Sequence, residues 1–261
     1  MNLVLLPAII CYLIASYACG KSLLSQETQK RRCVLICGSC ALIFHGIWVS
    51  QHMLLTNGQD LSIVNVAVLL CLLLSLSVTL GCSHFKLWIM LPVVYVASVI
   101  TLLLAHFIRT PYILHLGIYP QVMVHIGFAL VAFTVMMIAA LFALQLGYLD
   151  YSLKRHRPNA LKLSMPPLIK IENQLVALIQ IGMVLLTISL ITGFIFLNHI
   201  FDNNHVHKAI LAVVAWFVYL LLLIGHRYWG WRGRTVGILT LLGAILLILS
   251  YFGSRLLPNF Y

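Results

Sequence analysis

The side chains best suited to chemistry in this chain are its eleven histidines. Imidazole is the commonest side-chain metal ligand and an axial ligand of haem iron. Other chemistries find little material. The five acidic residues form no paired carboxylates, and there is no phosphate-binding glycine loop and no nucleophile triad. His45 and His52 are seven residues apart, which puts them on one face of a helix, about 10 Å apart along its axis. His106, His115, His125, His199, His205 and His207 stand at or between the ends of apolar runs, as do His84, His156 and His226.

What must position these residues is a membrane. The chain of 261 residues is 62% hydrophobic and only 8% charged, with a mean hydropathy of +1.06. A soluble domain carries about a quarter charged residues, so lipid is the solvent for most of this surface. A span needs about 20 mostly apolar residues. Eight runs qualify: 3–19, 33–55, 61–82, 87–107, 118–146, 174–197, 209–226 and 235–254. The longest connection, 147–173, leaves no room for a soluble domain. The expectation is an all-α polytopic protein, a single integral membrane domain over 1–261 built as a bundle of eight transmembrane helices.

The formal charge of +11 reads as topology, not as affinity for nucleic acid. The first apolar run has no basic residue before it, whereas Lys21, Lys30, Arg31 and Arg32 follow it. It is therefore expected to be an uncleaved span with its N-terminus outside. Alternating from there puts thirteen of the sixteen Lys and Arg in inner loops and leaves Arg109, Lys208 and Arg255 outside. Both termini are predicted outside, in a bacterial cytoplasmic (inner) membrane. Five of the seven cysteines then fall in the inner half of their spans, Cys11 and Cys71 lie near mid-membrane, and no structural disulfide is expected. Cys37-Gly-Ser-Cys40 has redox-motif spacing. It reads more simply as small apolar residues sharing a helix face.

This topology collects seven of the eleven histidines at the outer side: His52, His106, His115, His125, His199, His205 and His207. Taken singly, a histidine in a membrane helix is a neutral side chain with one hydrogen bond to a neighbouring helix. His115, His199, His205 and the inner-loop His156 read as solvated. His125 and His207 share a depth near the outer face on different helices, and two imidazoles facing across a bundle can hold one haem iron. Arg109 and Lys208 are outer basic residues against the topology rule. They snorkel to the interface, or they pair with haem propionates through charge-assisted hydrogen bonds. His45 and His226, at differing depths, form a weaker second pair.

The C-terminal third carries His207-Lys208-Ala-Ile-Leu-Ala-Val-Val-Ala-Trp216, then His226-Arg227-Tyr-Trp-Gly230-Trp231-Arg232-Gly233-Arg234, then Tyr251-Phe252-Gly253. With His45 in the second span, His125 opening the fifth, and Pro166-Pro167-Leu168 before Glu172, this order resembles the cytochrome c assembly family of CcsA type. It is most similar to the shorter HemX-like or YpjD-like branch, along nearly the whole chain. The resemblance implies a haem-handling membrane protein. In the larger relatives a tryptophan-rich outer loop with flanking histidines presents haem to apocytochrome c. The matching stretch here, from Gly193 through His199, Asp202 and His205 to His207, contains no tryptophan. His125 matches the first outer histidine of those relatives by position, and His45 and His226 approximately match their transmembrane pair. His207 is nominated from its location alone.

The sequence thus leads to a haem-binding, haem-handling protein related to cytochrome c assembly, not an enzyme, holding haem non-covalently by bis-His ligation near the outer face. His125 and His207 are the expected iron ligands, Arg109 and Lys208 the propionate partners, and His45 and His226 further candidates. Expected partners are the lipid bilayer and haem-biosynthesis or cytochrome-assembly proteins, with no nucleic acid. Two alternatives belong to other classes. One is a small-solute or metal-ion permease with an outer histidine entry site. The other is a ligand-free membrane accessory subunit whose histidines serve packing.

Overall fold

The computed structural model describes residues 4–25, 28–55, 58–85, 87–108, 112–114, 120–154, 167–196 and 203–253. Among them, eight helices are long and apolar enough to cross a membrane. In hydrocarbon no water reaches the backbone, so each apolar run closes its own N–H and C=O groups as a helix. The helices are α1 (Leu5–Ser25), α2 (Thr28–Met53), α3 (Ile63–Phe85), α4 (Met90–Phe107, entered through a 3₁₀ turn at Leu87–Ile89), α5 (Pro120–Lys154), α6 (Leu168–Phe196), α7 (Asn203–Tyr228) and α8 (Arg234–Ile248). A π-helical turn, Leu249–Gly253, extends α8.

All eight expected spans are present, but several helices outrun them. Helix α5 has 35 residues, about 50 Å, which exceeds the roughly 30 Å of a hydrocarbon core. Helix α6 begins at Leu168, so Lys170 and Glu172 lie in its opening turns and not in a loop. Hydropathy marks where a helix is apolar, whereas backbone hydrogen bonding carries it into the polar interface. Proline fixes where some helices start. Pro120 is the first residue of α5, where its missing N–H costs nothing. Helix α2 stops at Met53 because Leu54–Leu55 turns into strand.

That strand was not foreseen. β1 (Leu54–Leu55), β2 (Gly58–Asp60) and β3 (Ile113–Leu114) form a small antiparallel sheet in the order β1-β2-β3. Gln59 pairs with both Leu54 and Leu114. Strands this short carry no periodic signal. Asp60 fastens the arrangement: one carboxylate oxygen accepts the Ser62 N–H at 3.0 Å and the Tyr112 N–H at 2.9 Å. The connection after α2 is thereby tied to the segment after α4.

The chain divides into two compact units, Met1–Gly117 with Leu161–Met165, and Ile118–Ala160 with Pro166–Tyr261. In the first, α1 packs on α2 and α4, and α3 packs on the same two, closing a four-helix ring. In the second, α5 and α7 each pack on α6 and α8, so α5 and α7 stand mainly diagonal to each other. Outward faces carry large apolar side chains such as Ile10, Leu13, Leu80, Ile100, Ile181 and Ile245, as a lipid solvent requires.

The core of the first unit is polar where its four helices meet. Tyr12 of α1, His45 of α2, Ser75 of α3, and Tyr95 and Ser98 of α4 are each fully buried. The Tyr12 hydroxyl is 3.0 Å from His45 Nδ1, and the Tyr12 and Tyr95 rings pack at 5.2 Å. The Tyr95 hydroxyl meets Thr79 Oγ1 at 2.9 Å, and the Ser75 and Ser98 hydroxyls meet at 2.7 Å. Lipid tails give helices no hydrophobic reason to associate, so such contacts, worth about 0.6–2 kcal/mol each, act as glue.

Candidate functional site

Four helix ends come together at one end of the second unit. His125 is two turns into α5, Gly193 lies near the end of α6, Lys208 is in the second turn of α7, and Ser250 lies in the π turn after α8. Ser250 Oγ donates to the Lys208 carbonyl at 2.8 Å, fixing the start of α7 against the end of α8.

His125 is half-buried, and its Nδ1 is 3.0 Å from the Ser189 carbonyl of α6 and 3.3 Å from Thr192 Oγ1. A carbonyl only accepts, so Nδ1 carries the proton and donates. Thr192 spends its own hydroxyl proton on the Ile188 and Ser189 carbonyls, at 2.8 and 3.0 Å, and can therefore accept from the ring. The neutral ring must then hold its lone pair at Nε2, for which the described residues supply no partner. This is how a metal-ligating histidine is usually prepared, with the far nitrogen on a backbone carbonyl and the near one free.

The seat of that ring depends on Gly193. A Cβ there would stand 2.9 Å from His125 Cε1 and 3.3 Å from Nδ1, closer than side chains pack. Ser189, Thr192 and Gly193 follow at spacings of three and four, one helix face that receives the imidazole. The sequence alone gives Ser189, Thr192 and Gly193 no part in the site. The signal was there in a small-polar stripe facing a histidine, but nothing in the sequence says which helix α6 faces. One turn deeper, Trp216 Nε1 donates to Thr187 Oγ1 at 2.9 Å, joining α7 to α6.

His207 lies within α7, on the helix diagonal to His125 and at the same end of the unit. Its side chain is outside the described residues, as is Arg109 entirely. Lys208 is partly exposed and, through its backbone, belongs to the α7–α8 contact.

His45 and His226 belong to different units, and each is engaged within its own. His226 Nδ1 donates to the Trp231 carbonyl at 2.8 Å, which gives it the same tautomer as His125. His45 is enclosed, with the Tyr12 ring edge-on at 5.7 Å, and its Nε2 makes no hydrogen bond. The Val68 carbonyl of α3 faces the same ring without meeting hydrogen-bond geometry. Tyr12 can donate or accept, so either tautomer is open to His45. Near the other end of α2, His52 stacks on Trp48 at 4.2 Å and donates from Nδ1 to its carbonyl.

At the far end of the second unit, Glu172 is buried and accepts the Gly233 N–H at 3.2 Å. Gly233 has φ +57° and ψ −114° at the entry to α8, a conformation open mainly to glycine. The Gly-Trp-Arg-Gly stretch is thus a tight turn anchored by a buried carboxylate. Among the described residues, no group of three or more His, Cys, Asp or Glu is placed to hold a metal ion.

The sequence profile described as cytochrome C assembly protein matches residues 33–261, and the chain belongs to that family. Within it, the chain is 40% identical over 256 residues to the inner membrane protein YpjD of Escherichia coli K12, covering 97% of each chain. The same figures hold for the YpjD proteins of Escherichia coli O6:H1 and O157:H7. An uncharacterized 28.8 kDa protein of Azospirillum brasilense is 27% identical over 139 residues, 52% of this chain and 51% of that one. No solved structure matches. The chain is a YpjD-like, multi-pass inner membrane protein.

Proposed function

We propose that this protein binds haem non-covalently near the outer face of the membrane and handles it in cytochrome c assembly, by ligand exchange and without covalent chemistry. The observation that carries the reading is His125. Its Nδ1 is committed to the Ser189 carbonyl, so its Nε2 lone pair is available, and Gly193 leaves the ring its place. Haem, when bound, supplies an iron that accepts imidazole nitrogen. The remaining work belongs to the chain. His125 offers the first ligand, and His207, at the same end of the unit on the diagonal helix, offers the second. Lys208, next to His207 in sequence, is the base for a propionate. Family membership supports haem as the ligand class.

His226 has the same tautomer as His125 and is a further candidate ligand within its own unit. Haem-biosynthesis or cytochrome-assembly proteins are the partners this reading implies. The test is haem titration of the purified full chain. His125→Ala should weaken binding at least tenfold, and a double His125→Ala, His207→Ala variant should abolish the bis-imidazole spectrum. Unchanged binding by the double variant would remove both residues from the site.

A further inference from the structure

The turn that joins α7 to α8 is folded back on the end of α7. The Gly225 carbonyl accepts the Trp229 N–H at 3.0 Å and the Trp231 N–H at 3.1 Å. The Trp231 carbonyl accepts the His226 Nδ1–H at 2.8 Å, and the Trp231 ring fills the place where a Cβ on Gly225 would stand. Gly230 and Gly233, at φ +66° and +57°, supply the left-handed backbone this path requires. The Trp229 and Trp231 rings are thereby held 5.3 Å apart. Trp229 is nevertheless 61% exposed and Tyr228 beside it 80% exposed, so this rigid turn presents an aromatic face outward and does not bury it.

Three arginines, Arg227, Arg232 and Arg234, stand on or beside the turn, and all three are exposed. Among the described residues none of them has a hydrogen-bond or ion-pair partner. The carboxylates at this end are committed elsewhere. Glu172 is buried against the Gly233 N–H, and Asp150 pairs with Lys154 at 2.8 Å. Lys170, in the opening turn of α6 two residues before Glu172, adds another exposed cation. The turn thus carries positive charge that the protein leaves uncompensated.

One apolar span ends at Tyr228 and the next begins at Arg234. The turn therefore stands at the depth of the lipid head groups, where tryptophan and tyrosine rings are favoured. Guanidinium groups bind phosphate oxygens through paired N–H donors, and basic clusters beside membrane helices hold anionic head groups. Setting topology needs charge alone; it does not need a tied turn that fixes two tryptophans among the arginines. We propose that the Tyr228–Arg234 turn binds the head group of an anionic phospholipid. Arg232 and Arg234, flanking Gly233, supply the guanidinium groups for the phosphate, Arg227 adds charge, and Tyr228 and Trp229 meet the lipid at its interfacial carbons. The site lies at the opposite end of the second unit from His125 and stands whether or not haem binds.

The experiment is native mass spectrometry of the full chain in neutral detergent, titrated with phosphatidylglycerol and, separately, with phosphatidylcholine of the same acyl chains. Phosphatidylglycerol should stay bound under conditions that strip phosphatidylcholine. An Arg232→Gln, Arg234→Gln variant should bind it at least about tenfold more weakly. An Arg31→Gln, Arg32→Gln variant, which removes the same charge from the opening of α2, should keep it. Equal retention of the two lipids by the wild-type protein, or an equal loss in both double variants, would overturn the proposal. Should the first double variant not fold, the single substitutions decide: each should weaken binding about fivefold, and unchanged binding in both would contradict the site.

Discussion

A histidine becomes a ligand when its second nitrogen is already spoken for, and His125 meets that condition through a backbone carbonyl that no side-chain substitution removes. The sensitive point is therefore Gly193. A methyl group there would meet His125 Cε1 at 2.9 Å, so Gly193→Ala should displace the ring and weaken haem binding at least tenfold while the protein stays folded. Haem titration with a size-exclusion control checks this. Tyr12 has a structural role. Tyr12→Phe leaves His45 Nδ1 without its partner in a fully buried site, and a lost buried hydrogen bond costs about 1–3 kcal/mol. A lowered unfolding midpoint in detergent is expected, and an unchanged one would mean the pair is not formed. Residue types near the outer histidines were readable, since His125 and His207 stand out by depth. Their partners were not, because Ser189, Thr192 and Tyr12 become partners only through helix pairing, which a single sequence does not encode locally.

At the scale of elements, the apolar runs were legible because a membrane helix must be apolar along most of its length. Their ends were not, since Lys170 and Glu172 look like loop residues to any hydropathy measure and yet lie in α6. Glu172 has an element-level task, accepting the N–H of Gly233 where α8 begins. Gly233 has open space around it, so its backbone and not crowding forbids a side chain. Gly233→Ala should cost about 1–3 kcal/mol, and Glu172→Ala should act on the same turn. Combined, the two losses should be less than additive because they share one contact. Thermal unfolding of the two single variants and the double variant measures that coupling. The three-stranded sheet escaped the sequence because strands of two or three residues lack a pattern.

For the whole molecule, the sequence carried the class of protein and its eight spans, and the family comparison agrees with that class. Division into two four-helix units was not legible, because all eight spans share one composition and nothing marks the boundary near Gly117. The basic-residue asymmetry predicts both termini outside. Alkaline phosphatase fused after Tyr261 should be active and the same enzyme placed in the 147–173 connection should be inactive, and the reverse pattern would invert the topology and move His125 to the inner face. The most direct test of haem binding is the optical absorption spectrum of the purified full chain after haem loading, beside His125→Ala. A Soret band with the low-spin signature of two imidazole ligands is expected, shifted or lost in the variant. A wild-type protein that shows no Soret band after loading would contradict it.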